Sequence, residues 1–234
     1  GFSVEQGSIR YGLNAVKNVG RGIIDAIVTA RSPQGFKGFY DFCERVSANE
    51  LNKKAVESLI KAGAFDDLGH LRSQLLAIFE KTVDGVHSVK RRGAQGQFSI
   101  FNMELPEITS EEMGNKMPEI PELRVETKLQ FEKEMLGIYL SGHPLDAFKE
   151  TLDHMTTMNL AEIQEAGDEA TSVLKDNMPM TIGGIIVNKI EKITKNNSKM
   201  LFLTIEDLYD QMEVIVFPKT LEKRSEEHTS ELQS

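Results

Sequence analysis

The spacing of apolar residues changes once along this chain, and that change limits the folds it can adopt. Before Met180, the periodic segments repeat their apolar residues about every three or four positions, as one face of a helix does. After it, β-branched and alternating apolar residues fill 180–194, 200–208 and 212–217, with polar turns between them. Because one element cannot follow a helical and a strand period together, the sequence predicts an α+β chain with an all-helical part followed by an antiparallel β meander.

Two helix–hairpin–helix elements are predicted in the helical part. The first covers 10–31, where two helical segments flank the Asn-Val-Gly-Arg-Gly turn at 18–22. The second joins a helix at 53–62, for which Asn52 is the expected N-cap, to a helix at 71–83 through a glycine turn. The repetition favours a tandem helix–hairpin–helix domain.

The composition is that of a globular protein from a reducing compartment. With 234 residues, of which 40% are hydrophobic, the chain can bury two modest cores. It shows neither a run of about twenty apolar residues nor a signal-peptide pattern, so we expect a cytoplasmic protein that does not enter a membrane. Its single cysteine, Cys43, excludes a disulfide framework and is expected to be a buried structural thiol.

The net charge of −9 is unevenly distributed along the chain. Residues 1–103 carry 14 Lys and Arg against 10 Asp and Glu, whereas residues 104–174 carry 5 against 16. A mildly basic module joined to an acidic, solvated connector is compatible with DNA binding by the first part, although charge alone does not identify the partner.

The turn at 18–22 is suited to holding a phosphate group. Its backbone N–H groups and the positive end of the following helix are expected to point toward solvent, with charge supplied by Lys17 and Arg21. Glycine would permit close approach of a ligand and the positive φ that the turn needs. The alternative interpretation is an ordinary corner between two helices with its glycine cap.

No catalytic residue, metal ligand or cofactor is predicted for this chain. His143 lies between Gly142 and Pro144, but no carboxylate or cysteine stands at ligand spacing, so we expect a turn residue with local hydrogen bonds. Glu206 and Asp207 are adjacent on a predicted strand, where successive side chains point to opposite faces. They would therefore form a poor two-metal site.

The segment from Leu129 to Asp146 reads LQFEKEMLGIYLSGHPLD and carries a family resemblance. Physically it predicts a charged amphipathic helix that stops at Ser141 and Gly142 and cannot resume through Pro144. The string closely resembles a signature of the alpha subunits of bacterial DNA polymerase III, the C-family of replicative polymerases.

The resemblance extends from about Ile9 to Lys223. The opening Ile-Arg-Tyr-Gly-Leu at Ile9 also matches the family, which usually has glycine where this chain has Asn18, a residue that tolerates the left-handed backbone region. The resemblance implies that both hairpins contact the backbone of duplex DNA. The implied contact residues are Lys17, Asn18, Val19, Gly20, Arg21, Gly22, Lys61, Gly63 and Ala64.

An apolar island lies in the otherwise polar segment after the hairpins. It comprises Gln97, Phe98, Ser99, Ile100 and Phe101 and resembles the pentapeptide with which bacterial polymerases dock on the sliding clamp. In such a motif the glutamine forms hydrogen bonds while the last two residues enter an apolar pocket. A short strand that covers a core is the alternative.

The β meander resembles the first three strands of an OB-fold, a small barrel that binds single strands. The implied single-strand-binding residues, by their place on and beside the first hairpin, are Lys189, Lys192, Lys195, Lys199 and Phe202. The alternative is that these lysines only solvate the edge of the sheet.

The resemblance further implies that the chain is a fragment of the C-terminal region of a DNA-directed DNA polymerase. The catalytic aspartates and their Mg²⁺ would lie in a palm domain upstream of residue 1, so this fragment should not polymerise. The implied partners are duplex DNA, single-stranded template, the sliding clamp and other replisome subunits. A non-catalytic repair or interaction protein with helix–hairpin–helix and OB elements is the alternative.

These patterns predict five regions along the chain. A polar tail at the end resembles the translation of a sequencing adapter and is expected to be non-native, which would leave the OB-fold truncated. The regions are the helix–hairpin–helix domain at 1–88, a linker with the pentapeptide at 89–122, a connecting helical region at 123–175, a partial OB-fold at 176–223 and the tail at 224–234.

Overall fold

The computed structural model confirms the predicted α+β class. A helical part with a small β hairpin precedes a three-stranded antiparallel sheet. Contacts divide the chain into two compact units, Gly1–Gly142 and His143–Ser234. The structure describes residues 2–5, 7–31, 33–46, 51–94, 117–168 and 174–223.

Helices dominate the described residues of the first unit. Strands β1 (Ser3–Glu5) and β2 (Ser8–Arg10) form an antiparallel hairpin at its start. Single 3₁₀ turns at Leu13–Ala15 and Asp66–Leu68 lie before the first and fourth helices. The helices are α1 (Arg21–Ala30), α2 (Phe39–Arg45), α3 (Lys53–Lys61), α4 (Arg72–Ala94) and α5 (Val125–Leu136).

Helix α3 supplies much of the first core, and its start is the predicted one. The side-chain oxygen of Asn52 accepts a hydrogen bond from the N–H of Ala55 at 2.9 Å, which caps the helix. One face of α3 then buries Val56, Leu59 and Ile60 almost completely. The cap fixes where α3 begins and the apolar face fixes which side of it faces the core, so α3 has little freedom to slide or rotate.

Aromatic rings pack around this helix. Phe42 of α2 lies edge to face with Phe65, their ring centroids 4.8 Å apart, and Phe65 makes the same type of contact with Phe39 at 5.3 Å. Cys43 is buried beside these rings, as predicted. Burial raises the pKa of its thiol to about 12 against the opposing influence of Lys90, so Cys43 is an inert core residue.

Three helix boundaries differ from the sequence prediction. The prediction of a helix before the turn at 18–22 is wrong. Gly12 and the left-handed Asn18 leave room only for the 3₁₀ turn at Leu13–Ala15. Helix α4 continues to Ala94, into positions predicted as linker. Helix α5 ends at Leu136 rather than at Ser141 because Gly137 takes a left-handed φ of 78° and closes the last turn.

The second unit confirms the predicted meander. Strands β3 (Ile185–Ile193), β4 (Lys199–Glu206) and β5 (Gln211–Val216) pair antiparallel in chain order, with a bulge between Ile186 and Asn188. Before the sheet lie a 3₁₀ turn at Asp146–Phe148 and the helices α6 (Lys149–Met155) and α7 (Leu160–Asp168).

The sequence also favours a short helix near residues 160–165 with Asn159 as its cap, and α7 begins there. The side chain of Asn159 accepts from the N–H of Glu162, and the carboxylate of Glu162 accepts from the N–H of Asn159, both at 2.9 Å. This reciprocal capping box satisfies two N–H groups at the helix start. In the parts of the chain that the structure describes, no helix is both long and apolar enough to cross a membrane.

Replacement of Asn52 by alanine tests the cap of α3. We expect Asn52→Ala to lower the free energy of unfolding by about 1 kcal/mol, because the N–H of Ala55 loses its partner. Urea unfolding followed by far-UV circular dichroism measures the change. Asn14→Ala, at an exposed asparagine outside any helix cap, is the control and should have little effect. Equal stability of the two variants would contradict the role of the cap.

Candidate nucleic-acid interface

Hairpin A, defined as residues 16–22, exposes a polar backbone above an apolar base. Val16 and Val19 are buried in the core, while Lys17, Asn18 and the segment 20–22 are exposed. The alternation of buried valine and exposed polar residue holds the turn on the protein surface. Hairpin A is thus anchored by its apolar side chains and accessible through its backbone and cations.

Two hydrogen bonds fix hairpin A to helices that are distant in sequence. The N–H of Lys17 donates to the carbonyl oxygen of Met135 at 2.9 Å, at the end of α5. The side-chain amide of Asn18 donates to the hydroxyl oxygen of Ser58 on α3 at 3.1 Å. Ser58 lies one helical turn before Lys61, so hairpin A touches the helix that leads into the second hairpin.

The conformation of hairpin A corrects one expectation about its glycines. Asn18 adopts the left-handed conformation, with φ 65°, whereas Gly20 has an extended backbone with φ −79°. The positive φ of the turn is therefore supplied by Asn18, in agreement with its expected tolerance of the left-handed region, and not by Gly20. Asparagine can take this conformation because its short polar side chain forms a compensating hydrogen bond, here to Ser58.

The N-terminus of α1 follows directly from hairpin A and is open. Gly20 is its N-cap, and among the described residues no side chain caps this end. The N–H groups of the first helical turn, beginning at Arg21 and Gly22, have no partners within the helix. Together with the helix dipole they form a place where an anion is favoured.

Hairpin B, defined as residues 61–66, is a closed glycine turn. The N–H of Gly63 donates to the carbonyl of Ile60 at 3.0 Å and that of Ala64 to the carbonyl of Leu59 at 2.9 Å. With Gly63 at φ 78°, this is the Schellman arrangement. Its amides are thus already used, and Ala64 is the exposed residue at its tip.

Lys61 is less available than the sequence suggests. Its ammonium lies 2.7 Å from the Glu57 carboxylate, one turn earlier on α3, and 4.9 Å from the centre of the Phe131 ring on α5. These contacts share its charge and restrict its side chain. Of the predicted cations, Lys17 and Arg21 of hairpin A are the more exposed pair.

A buried ion network lies beneath hairpin B, and sequence reasoning missed it. The side chain of Arg72 is only 5% exposed. Its Nε and Nη2 donate to both carboxylate oxygens of Asp66 at 2.6–3.1 Å, and its Nη2 donates to Glu132 at 2.9 Å. Its Nη1 donates to the carbonyl oxygen of Lys61 at 3.2 Å. We call Arg72, Asp66 and Glu132 the Arg72 network.

Glu132 is the buried end of this network, with its side chain fully shielded from solvent. Its carboxylate accepts from the N–H groups of Leu140 and Ser141 and from the Ser141 hydroxyl, at 2.8–2.9 Å. Burial alone would raise the pKa of Glu132, but the hydrogen bonds from Ser141 and Leu140, with that from Arg72, hold the pKa below its ordinary value. Glu132 is therefore charged inside the core.

The N-terminus of α4, unlike that of α1, is already filled by a carboxylate. Glu122 accepts from the N–H groups of Arg72 at 3.2 Å and Ser73 at 3.1 Å. Burial opposes the ionised form of Glu122, but hydrogen bonds from Leu123, Ser73 and Arg72 lower the pKa of its carboxyl. An anion from another molecule would have to displace this internal cap.

The cations of the meander divide between the two faces of the sheet. Ile190 pairs with Phe202 and Lys192 with Met200, so Lys192 and Phe202 share a face, with the ammonium 4.4 Å from the ring centre. Lys189 and Lys199 lie on the other face, where Lys199 also pairs with Glu191 at 2.8 Å. Lys195 is exposed in the turn. The predicted cluster is thus not a single surface.

Comparison with known proteins gives a consistent result. Residues 1–75 match a family model described as a helix-hairpin-helix motif. The chain is 36% identical over 226 residues to DNA polymerase III subunit alpha of Saccharopolyspora erythraea, covering 94% of this chain and 18% of that protein. The subunits of Vibrio cholerae and Bacillus subtilis are 33% and 35% identical, each over 96% of this chain and 19% of their own length.

The chain belongs to the DNA polymerase III subunit alpha family. The resemblance read from the Leu129–Asp146 segment is confirmed by these relatives. The chain spans about a fifth of their length. Within this subunit alpha segment, Glu132 and Arg72 are charged residues whose burial the sequence pattern did not reveal. An acidic residue on the apolar side of α5 was the available signal.

Two predicted segments of this subunit alpha chain lie outside the described residues. They are the pentapeptide Gln97–Phe101 and the tail at 224–234. Both therefore stay predictions. The described residues contain no group of three or more His, Cys, Asp or Glu side chains that could hold a metal ion.

His143 has the local contacts expected for a turn residue. Its N–H donates to the Asp146 carboxylate at 2.6 Å, and its Nδ1 accepts from the N–H of Leu145 at 3.1 Å. Its Nε2 also lies 3.6 Å from the Glu206 carboxylate. Asp207 accepts from the N–H of Leu160 at 2.7 Å. The acidic pair thus has structural partners within the second unit.

The charge state of Glu132 predicts how acid affects the first unit. Because the pKa of Glu132 is lower in the folded state, its contribution to stability is present above its ordinary value of 4.5 and is lost as the pH falls through the folded-state pKa. We expect Glu132→Gln to be less stable at neutral pH and to lose less stability than the wild type between about pH 6 and pH 3.

Hydrogen exchange at the α3 amides, measured across this pH range, tests the prediction. Glu134→Gln, at an exposed glutamate of the same helix, is the matched control and should follow the wild type. If Glu132→Gln loses stability with acid as steeply as the wild type does, Glu132 is not the titrating group.

Proposed function

We propose that this part of DNA polymerase III subunit alpha holds duplex DNA by its backbone, chiefly through hairpin A, and takes no part in the chemical step. The observation that carries the proposal is the uncapped N-terminus of α1, which opens to solvent between the exposed side chains of Lys17 and Arg21. Backbone amides and cations together suit a phosphate oxygen and read no base sequence.

Gly20 supports this proposal because the fold itself does not demand glycine there. Its φ is negative, and a Cβ atom added to it would meet nothing within 4 Å. Close approach of a phosphate to the backbone would be a reason for glycine at this position. Asn18, by contrast, has an internal reason, since its left-handed backbone and its bond to Ser58 shape the turn.

Hairpin B is proposed as the secondary contact. The N-terminus of the helix that follows it is occupied by Glu122, and its two amides are bonded within the turn. What it offers is a rigid exposed tip at Ala64, beside Lys61. We expect it to guide the duplex against hairpin A rather than to bind DNA strongly alone.

Replacement of Arg21 tests the duplex-binding proposal. We expect the full chain to bind a short duplex of any sequence with a log–log salt slope of roughly −2 to −4, and Arg21→Ala to reduce the slope by about 1. Fluorescence anisotropy across a salt series measures both values. Arg31→Ala is the matched control, because Arg31 is exposed at the opposite end of α1, about 15 Å along the helix.

An absence of wild-type binding at low salt would reject the proposal. Equal slopes for Arg21→Ala and Arg31→Ala would show that general charge, and not hairpin A, attracts the DNA.

We propose in addition that Gln97–Phe101 tethers the polymerase to the sliding clamp. The segment begins three residues after the end of α4 at Ala94, and its apolar residues stand in a polar context. Such a segment can place a small apolar anchor in a pocket of a partner while its glutamine forms hydrogen bonds.

Truncation of the anchor tests the tether. We expect the double change Ile100→Ala and Phe101→Ala to weaken binding to purified clamp by about 2–4 kcal/mol, because these are the residues expected to fill the pocket. Isothermal titration calorimetry with the full chain gives the affinity. Ile108→Ala, an apolar residue of the same polar segment outside the motif, is the control. An unchanged affinity in the double variant would remove the assignment.

The remaining functions proposed here rest on the family. We propose that the meander is part of an OB-fold that handles single-stranded template, and the Lys192–Phe202 pair supports this because a cation and a ring on one face suit a strand with stacked bases. We propose that the whole subunit polymerises DNA with Mg²⁺ held by an upstream palm domain. A cytoplasmic location and association with other replisome subunits complete the proposal.

A further inference from the structure

One guanidinium group contacts hairpin B at its entry, its middle and its exit. At the entry, Nη1 of Arg72 donates to the carbonyl oxygen of Lys61. At the exit, Nε and Nη2 bind the Asp66 carboxylate. In the middle, a Cβ atom on Gly63 would collide with Nη2 and lie 2.9 Å from Cζ of Arg72. The backbone of hairpin B therefore packs closely around the side chain of Arg72.

The guanidinium of Arg72 is itself held in place by a second carboxylate. Its partner Glu132 is fully buried and is bound by the backbone of Leu140 and Ser141. The planar guanidinium has carboxylates on two sides, and these fix its orientation. A flexible ammonium would not be fixed in this way. The position of hairpin B therefore depends on a rigid support that reaches α5 and the loop after it.

The Arg72 network also alters the charge that hairpin B presents. The side chain of Asp66 is 43% exposed, and a free carboxylate there would repel a phosphate backbone. The ion pair with Arg72, at 2.6 Å, offsets part of this charge, because Arg72 also pairs with Glu132. Asp67 is the next residue, is exposed and lies outside the network.

We infer that Arg72, held between Asp66 and Glu132, is a positioning residue for DNA binding by hairpin B. The inference rests on the proposed duplex-binding function. Arg72 does not touch the DNA. It sets the geometry of the turn that does, and removal of its partner Asp66 weakens DNA binding even though a negative charge has been removed.

Asp66 of hairpin B and Asp67, the residue after it, give a test that depends on whether DNA binding becomes weaker or tighter. If charge alone mattered, Asp66→Asn and Asp67→Asn would both tighten binding, since each removes a negative charge near the phosphates. We expect Asp66→Asn to weaken binding about three- to tenfold, as the loss of a coupled network contact does. Asp67→Asn should leave binding unchanged or tighten it. The salt slope should be unaltered in both, since no cation is lost.

Anisotropy with the full chain and a short duplex, at constant salt, measures these affinities. Hydrogen exchange at Gly63 and Ala64 gives an independent readout and should accelerate in Asp66→Asn but not in Asp67→Asn. Asp66→Asn retains the buried Arg72–Glu132 pair, so its core should remain folded. Circular dichroism at the assay temperature checks this.

A second variant keeps the positive charge at position 72 and removes only the planar shape of the side chain. Arg72→Lys leaves the net charge unchanged but cannot reach both carboxylates and the Lys61 carbonyl with a planar fork. We expect it to weaken DNA binding at least as much as Asp66→Asn, whereas Arg31→Lys, at an exposed site, should have no effect.

The possible outcomes separate the two proposals. No DNA binding by the wild type would reject the duplex-binding function. Wild-type binding with Asp66→Asn as tight as or tighter than the wild type, or with unchanged exchange at Gly63 and Ala64, would overturn the positioning role alone.

Discussion

The first unit is organised around a buried ion pair, that of Arg72 with Glu132. Burial of two charges carries a large desolvation cost, which is offset only when the remaining hydrogen-bonding capacity of both groups is used. Arg72 and Glu132 use this capacity in hydrogen bonds that connect separate parts of the chain. Glu132 binds the loop after α5, and Arg72 binds both ends of hairpin B. Loss of Arg72 would leave the carboxylate of Glu132 without its charge partner in the core.

This pair explains why the Leu129–Asp146 segment has its particular composition. A helix that only covered a core would have an apolar residue at Glu132. Instead the segment supplies a buried carboxylate, a left-handed glycine that ends the helix at Gly137, and the Ser141 hydroxyl and amide that return to that carboxylate. These roles depend on one another in space.

The two hairpins differ both in the elements that precede them, a 3₁₀ turn for hairpin A and α3 for hairpin B, and in their chemical states. Hairpin A leads into an uncapped helix, and its cations are exposed, whereas hairpin B leads into a helix capped internally by Glu122. Hairpin B is rigid and internally satisfied. Under the proposed duplex-binding function, hairpin A would attract the DNA and hairpin B would supply a fixed shape. Asn18 connects hairpin A to the helix that carries hairpin B.

Local rules were sufficient wherever one segment contains both the cause and the effect. The caps at Asn52 and Asn159 act within one helical turn, and the strands of the meander follow one another through short turns, so the sequence alone determined α3, α7 and the three-stranded sheet. Tertiary structure decided the rest. The burial of Glu132 and the contact of Lys61 with Phe131 each depend on residues distant in the chain. Charges behave in this way because a carboxylate on a helix is equally compatible with solvent or with a buried guanidinium, and only the folded neighbours determine which it meets.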